Sequence, residues 1–377
     1  MTSHPHLPQL HRCIQTYLTQ HTFSAASCIA STGGHIFHQA VYGHVQQDRF
    51  SPPTQDNTFF DLASLSKPLG AGLAALYLVG KGRLDLNARL SDTLPVLQKP
   101  TFENITLGML LDHTAGFAAL PGIYAFLSSQ HPTLLGTDKA IPAAQEWLAQ
   151  QPLAYAPGTQ CIYSDVGFLW LGWIIEHTVK KPLDVFLEST VYKPLNIHKE
   201  LFFIRNPTHT HPAHMFAATE ECPLRKRLIQ GEVHDPSTWS IGGVGGPAGL
   251  FGTARAVWVL MQKLLLCHKG LDFFFHPATV TRFWTRSRRP PHTTRTLCWD
   301  TPSAEHSTAS KRYSKTSVGH LGFTGTSIWL DLRTDVLGIV LTNAVHPTVE
   351  GKKEAMAQFR PRAYEIIASE GERLMNT

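Results

Sequence analysis

The chain has 377 residues, 43% of them hydrophobic and only 16% charged, with a formal net charge of +5. At roughly 150 residues per domain this is about two and a half domain-sized units, enough to bury a core without metal or disulfide staples, and the low charge excludes a disordered tail. The longest apolar run, 168–175, is far below the roughly 18 residues of a membrane span, so no integral membrane segment is expected.

In chain order, Leu7, Leu10, Ile14, Tyr17 and Leu18 fall on one face of a helix predicted over 7–18. Runs 27–32 and 35–42 read as two strands turned by Gly33-Gly34. Leu69, Leu73, Leu76 and Tyr77 mark a second helix, which Gly80 and Gly82 end. From 83 to about 266 the pattern is mainly helical, with helices predicted over 143–149, 166–178, 183–191 and 254–266. Strands return at 326–330 and 336–342 as a hairpin across Arg333-Thr334-Asp335, and a helix over 354–369 closes the chain. Helix and hairpin at one end, hairpin and helix at the other, predict an α+β fold. One antiparallel sheet is flanked by N- and C-terminal helices, with a mainly helical insertion. On this reading 1–82 and 267–377 form the sheet domain, 83–266 the inserted domain, and a site lies at their interface.

The densest basic stretch, 282–295, lacks the one-sided periodicity of a groove reader; it reads as a solvated loop, and nucleic acid is not an expected partner. The first twenty residues show no charged leader followed by an apolar stretch, and six widely spaced cysteines (Cys13, Cys28, Cys161, Cys222, Cys267, Cys298) form no CxxC pair. Reduced thiols in a cytoplasmic compartment are the expectation. The oligomeric state stays open.

The sharpest local feature is Ser64-Leu65-Ser66-Lys67 at the head of a strongly patterned helix. Serine becomes a nucleophile only when a base takes its proton, and a spacing of three puts Lys67 about 5–6 Å from Ser64 between Cβ atoms. A helix N-terminus favours an oxyanion and disfavours a protonated Lys67. Further along, Tyr163 stands on a turn before an apolar helix, in Ala156-Pro157-Gly158-Thr159-Gln160-Cys161-Ile162-Tyr163-Ser164-Asp165. Later, Gly319-His320-Leu321-Gly322-Phe323-Thr324-Gly325 precedes a strand, with glycines that let backbone approach a substrate closely. SxxK, a central Tyr-x-Asp and a basic-x-Gly element, in that order, match the layout of penicillin-recognising serine enzymes.

The stretches FFDLASLSKPL, LGMLLDHTAGF, APGTQCIYSDVGFLWLG, GGPAGLFGTA and GHLGFTGTSIWLD resemble the serine β-lactamase and penicillin-binding-protein superfamily. The nearest branch is that of class C β-lactamases, DD-peptidases and family VIII esterases, and the resemblance spans nearly the whole chain. It implies Ser64 as the acylated nucleophile, Lys67 as its proton partner and Tyr163 as general base or relay. His320 takes the basic position of the third motif, and the N–H groups of Ser64 and Phe323 form the oxyanion hole. Asp165, His320, Gly322 and Phe323 would contact a small-molecule or short-peptide acyl substrate, with no cofactor and no metal. Two departures stand out. Asp165 replaces the usual Asn, so it cannot donate and would keep Lys67 protonated; Leu321 replaces the usual Thr and its hydroxyl. The expectation is an acyl-enzyme hydrolase of amides, β-lactams or D-Ala-D-Ala-type peptides. A carboxylesterase on small acyl esters is the alternative, and an inert binding protein on the same scaffold a further one.

Other signals read as structural. His113 is expected to be a buried, hydrogen-bonded histidine. His209, His211 and His214 sit on a Pro-interrupted loop that suits a metal poorly. The GxGxxA match within 242–249 lacks a preceding strand and reads as a flexible loop bordering the cleft rather than a dinucleotide turn. Trp147, Trp170 and Trp173 fall at helical core positions.

Overall fold

Residues 7–48, 50–120, 122–206 and 211–375 are described by a computed structural model. Strands β1 (Ala25–Thr32) and β2 (His35–Gly43) are joined by Gly33 and Gly34 at φ +55° and +81°, the left-handed pair that a two-residue hairpin needs. At the other end of the sequence, β8 (Val318–Leu321), β9 (Ser327–Leu330) and β10 (Leu337–Thr342) form an antiparallel meander. The two ends join where Cys28 of β1 pairs with Val340 of β10, giving one five-stranded antiparallel sheet in the order β2-β1-β10-β9-β8.

Side chains alternate across a strand, and here both faces are apolar. Ile29, Ile328 and Ile339 point into the larger core, while Cys28, Trp329 and Val340 point into a second one. Helices α1 (Pro8–Thr19) and α5 (Lys352–Met375) cover the second face, with Leu10, Ile14, Phe359 and Ile367 buried beneath them. Helix α4 (Ala254–His268) packs on β1 and β10 from the other side, among the larger core that also holds α2 (Gly72–Gly80) and α3 (Asp165–Val179). Ten residues of α3 are buried, including Trp170 and Trp173, so this helix runs through the interior and shows little amphipathic signal.

Three readings from sequence are corrected. The third motif does not merely precede a strand: 318–321 is itself the edge strand β8, and 322–326 is its turn into β9. Two glycines and a buried histidine hide the alternation there. Short strands β3 (Phe60–Asp61), β4 (Leu201–Phe203) and β7 (Leu250–Gly252) make a small second sheet, and β5 (Glu221–Cys222) pairs with β6 (Arg227–Leu228). Two or three residues are too few for any periodicity to register. The glycine-rich segment 242–249 is buried and tightly packed, not a flexible loop: a Cβ on Gly246 would lie 1.9 Å from the Phe168 carbonyl oxygen. His209 falls outside the described residues, and His211 packs its ring on Phe59 and Phe202.

Candidate active site

The candidate nucleophile is set by a short, strained approach. Buried Asp61, at the end of β3, accepts the Ala63 N–H at 2.8 Å and the His234 N–H at 2.7 Å. Burial pushes its carboxyl up, and those two bonds oppose the shift. Ala63 is thereby held at φ +47°, an uncommon left-handed conformation for a residue with a Cβ. Ser64 follows in a tight 3₁₀ turn, Ala63–Leu65, and Lys67 opens a wide π-helical turn, Lys67–Ala71, before α2 begins. Pro68 has no N–H to continue a regular ladder. The regular helix start expected from spacing is replaced by a tight turn and then a loose one.

Lys67 is fully buried behind Ser64. Its ammonium reaches Ser64 Oγ at 3.1 Å, the Pro247 carbonyl at 3.2 Å and Asp165 Oδ1 at 2.7 Å. Three acceptors match the three N–H donors of an ammonium group. Burial alone would drive the proton off; the charge of Asp165 and then Tyr163 overcomes it, and the net direction is up from the ordinary 10.5. The partial neutralisation expected from a helix N-terminus is therefore overturned, whereas the consequence expected of Asp165 holds. Asp165 sits in the first turn of α3, where the helix dipole favours a carboxylate.

Tyr163 lies one residue before the Ser164 N-cap of α3, enclosed by rings and cations. Lys67 Nζ is 4.7 Å and Arg295 Cζ 5.1 Å from its ring centroid, with His113 at 4.5 Å and His320 at 6.0 Å. Buried His113 accepts the Ser164 N–H on Nδ1 at 3.0 Å, and its own carbonyl accepts from Tyr155. Burial first, then Arg295 and Lys67, keeps its pKa well below the ordinary 6.5, so it is a neutral clamp on the Tyr163 loop.

The third motif reaches the same place from the sheet edge. His320 is buried and neutral for the same reasons, burial leading, with Nδ1 donating to the Leu321 carbonyl at 2.8 Å. Its Nε2 is left as a buried acceptor with no partner among the described residues. The β8–β9 turn is fastened to the strap before Ser64: Thr324 Oγ1 donates to the Asp61 carbonyl at 2.7 Å and Thr326 Oγ1 to that of Leu62 at 3.1 Å. Only glycine fits at 322, because a Cβ would stand 2.6 Å from the Leu62 oxygen. The Phe323 N–H donates to no backbone carbonyl among the described residues.

A cavity of about 480 Å³ is lined by Ser64, Tyr163, His320, Gly322 and Phe323. Lys67 and Asp165 do not line it but stand behind Ser64, joined to it through the Lys67 ammonium, so all seven residues singled out from sequence converge. What sequence reasoning missed is positive charge. Arg295 belongs to the stretch expected to be a solvated loop, yet it lines the cavity over Tyr163; Arg289 of that stretch pairs with buried Asp112 at 3.1 Å. Arg360, Lys352 and Lys353 of α5 line the far side, against one acid, Asp300. No local pattern marks these residues, because only the sheet brings α5 to the motif.

A family model described as Beta-lactamase matches residues 10–361. A Salmonella agona protein named "Putative D-alanyl-D-alanine carboxypeptidase" is 32% identical over 325 residues, which is 79% of this chain and 72% of that protein. Among solved structures, EstCE1, a hydrolase with promiscuous acyltransferase activity, superposes with a TM-score of 0.72 at 20% identity, covering 94% of this chain and 97% of its own. A class C beta lactamase gives 0.71 at 16% identity, covering 96% and 97%. At these identities the structural matches speak for the fold.

Proposed function

The chain belongs to the beta-lactamase family and is a serine hydrolase; on that premise we propose that it works through an acyl-enzyme at Ser64 on D-Ala-D-Ala-type peptides or β-lactams. Ser64 Oγ bonds to the substrate carbonyl carbon while its proton passes to the Tyr163 oxygen, which enters the step as a phenolate balanced by the positive charge of Lys67. The Ser64 and Phe323 N–H groups hold the oxyanion, an interaction typically worth several kcal/mol in the transition state. Collapse breaks the bond to the leaving group, which takes the proton from Tyr163. Water then attacks the ester by the same route, releasing the acid and restoring the Ser64 hydroxyl.

The observation that carries this reading is the Lys67 ammonium donating to Ser64 Oγ at 3.1 Å. That bond occupies an acceptor site on the hydroxyl and leaves its proton free for Tyr163 across the cavity. Four basic residues facing one acid in the cavity favour a substrate that carries a carboxylate. The charge on Lys67 also argues against Lys67 as the resting base, and Tyr163 is assigned that role. We further read 83–266 as an inserted domain, with α4 reassigned to the sheet unit on which it packs. Six free thiols suit a reducing compartment such as the cytoplasm.

Covalent labelling with a fluorescent β-lactam or fluorophosphonate tests the mechanism: wild type labels and Ser64→Ala does not. Label retained in Ser64→Ala removes the proposal. A carboxylesterase is the second reading, favoured by Leu321, which offers no hydroxyl to a substrate carboxylate, and by Asp165, which cannot donate. Turnover of p-nitrophenyl acetate against nitrocefin and a D-Ala-D-Ala peptide separates the two. An inert scaffold is disfavoured by the assembled trio Ser64, Lys67 and Tyr163.

A further inference from the structure

Arg360 Nη2 donates to the Gly322 carbonyl oxygen at 3.1 Å, and the Gly325 N–H donates to the same oxygen at 3.1 Å. That carbonyl belongs to the peptide group whose N–H is that of Phe323. The peptide is trans and planar, so its C=O and N–H point in opposite directions. Two donors on the oxygen, one from α5 and one from the β8–β9 turn itself, leave the N–H aimed the other way. A full positive charge on the oxygen also draws electron density from the nitrogen and sharpens the N–H as a donor.

The arrangement is costly to stability, which argues that it is kept for use. Arg360 has no carboxylate partner among the described residues, and its Nε is buried without an acceptor. Burial lowers its pKa to about 10, which still leaves it charged at neutral pH. Arg360 is part-buried at the cavity wall, and a charge withdrawn even partly from water without a counter-ion costs stability unless something offsets it. The helix that carries it cannot drift: Phe359 and Tyr364 are buried on either side of it in sequence, and the Tyr364 hydroxyl donates to Ser327 Oγ at 2.9 Å on β9.

We propose that Arg360 is a positioning residue that orients and polarises the 322–323 peptide, so that the Phe323 N–H serves as a preorganised oxyanion donor; this rests on the acyl-enzyme reading above. The residue acts through the peptide, without touching the reacting carbonyl. Because Arg360 also lines the cavity, a direct contact with a substrate carboxylate is the rival explanation.

The test uses a neutral ester to separate the two. The full-length protein and its Arg360→Met variant are compared by the burst rate of p-nitrophenol release from p-nitrophenyl acetate and by the affinity of phenylboronic acid, whose tetrahedral adduct places an oxygen in the hole. The burst rate is expected to fall about 10- to 100-fold with KM within about twofold, and boronate affinity to fall in parallel. Added guanidinium ion should restore part of the Arg360→Met rate. A burst rate and boronate affinity within about twofold of wild type overturn the proposal, as does a loss confined to carboxylated peptides. If Arg360→Met does not fold, Arg360→Lys carries the test: a loss of about three- to tenfold is expected, and an unchanged rate overturns it. Ser64→Ala run alongside keeps the two levels apart. A burst that survives it sinks the acyl-enzyme reading itself, whereas a Ser64-dependent burst indifferent to Arg360 sinks only this inference.

Discussion

Two walls of one cavity hold their cations on opposite terms. On the strap side, Lys67 is surrounded by the Ser64 hydroxyl, the Pro247 carbonyl and the Asp165 carboxylate, and its charge is matched within the protein. On the α5 side, among the described residues, Arg360 meets a single carbonyl and Lys352 a single one, that of His21, with no carboxylate paired to either. Lys67 is fully buried and Arg360 and Lys352 only in part, and the degree of burial does not by itself say what a charge is for. The number and kind of acceptors does: a saturated ammonium is part of an internal proton device, and an unsaturated guanidinium acts on what lies next to it.

The two buried histidines beside Tyr163 repeat the contrast. Both are neutral, yet His113 has its Nδ1 filled by the Ser164 N–H, while His320 keeps an open Nε2 at the cavity. One is a clamp. The other carries an acceptor without a partner among the described residues.

The strongest way to break this division is to remove the matched cation. Lys67→Met should lower the acylation rate by about 10³-fold or more in stopped-flow assays, and a loss below about tenfold would strip Lys67 of its assigned part. Next, Asp165→Ala leaves the buried ammonium uncompensated, and chemical denaturation should record a loss of about 3–5 kcal/mol. A loss under about 1 kcal/mol would mean that the pair is not worth what its burial implies.

Asp165→Asn sharpens the point through pH. In the wild type the Lys67 pKa is raised above 10.5, so the stabilisation from its charge is full below that value and is lost only as pH climbs through the higher folded one. Without the carboxylate, burial, already the largest single influence, loses its main opposition, the pKa falls, and the alkaline limb of kcat/KM moves to lower pH. The added amide donor should also raise β-lactam turnover several-fold. An unmoved limb, or lower nitrocefin turnover, goes against this account. The smallest effect is reserved for the open side: Leu321→Thr restores a hydroxyl on β8 and should improve kcat/KM for a D-Ala-D-Ala peptide by about tenfold or less, leaving p-nitrophenyl acetate unchanged.

Much of this was legible before any coordinates. The α1 and α4 stripes, the Gly33-Gly34 turn and the run of α3 each came within a few residues of the observed bounds, because each depends on neighbours three or four positions apart. The seven candidate site residues were singled out through motif order, which reports chemistry already gathered into short segments. The small sheet β3-β7-β4 was not, since strands of two or three residues are held only by remote partners. Arg295 was misread as solvated because its role depends on a ring at position 163, and Arg360 left no mark because α5 reaches the motif only through the sheet.

By itself, then, the sequence determined the kinds of element, the joining of both chain ends in one antiparallel sheet, and which hydroxyl, amine and phenol would meet. The first two follow from local backbone sterics and apolar periodicity, the third from the order of the motifs and the family resemblance they carry. The tertiary structure decided between two opposed expectations for the proton of Lys67, and it alone decided the neutrality of His320 and the placing of four cations around the cavity. Electrostatic energies depend on distances and burial, and the partners that set them here lie as far apart in the chain as Lys67 and Pro247.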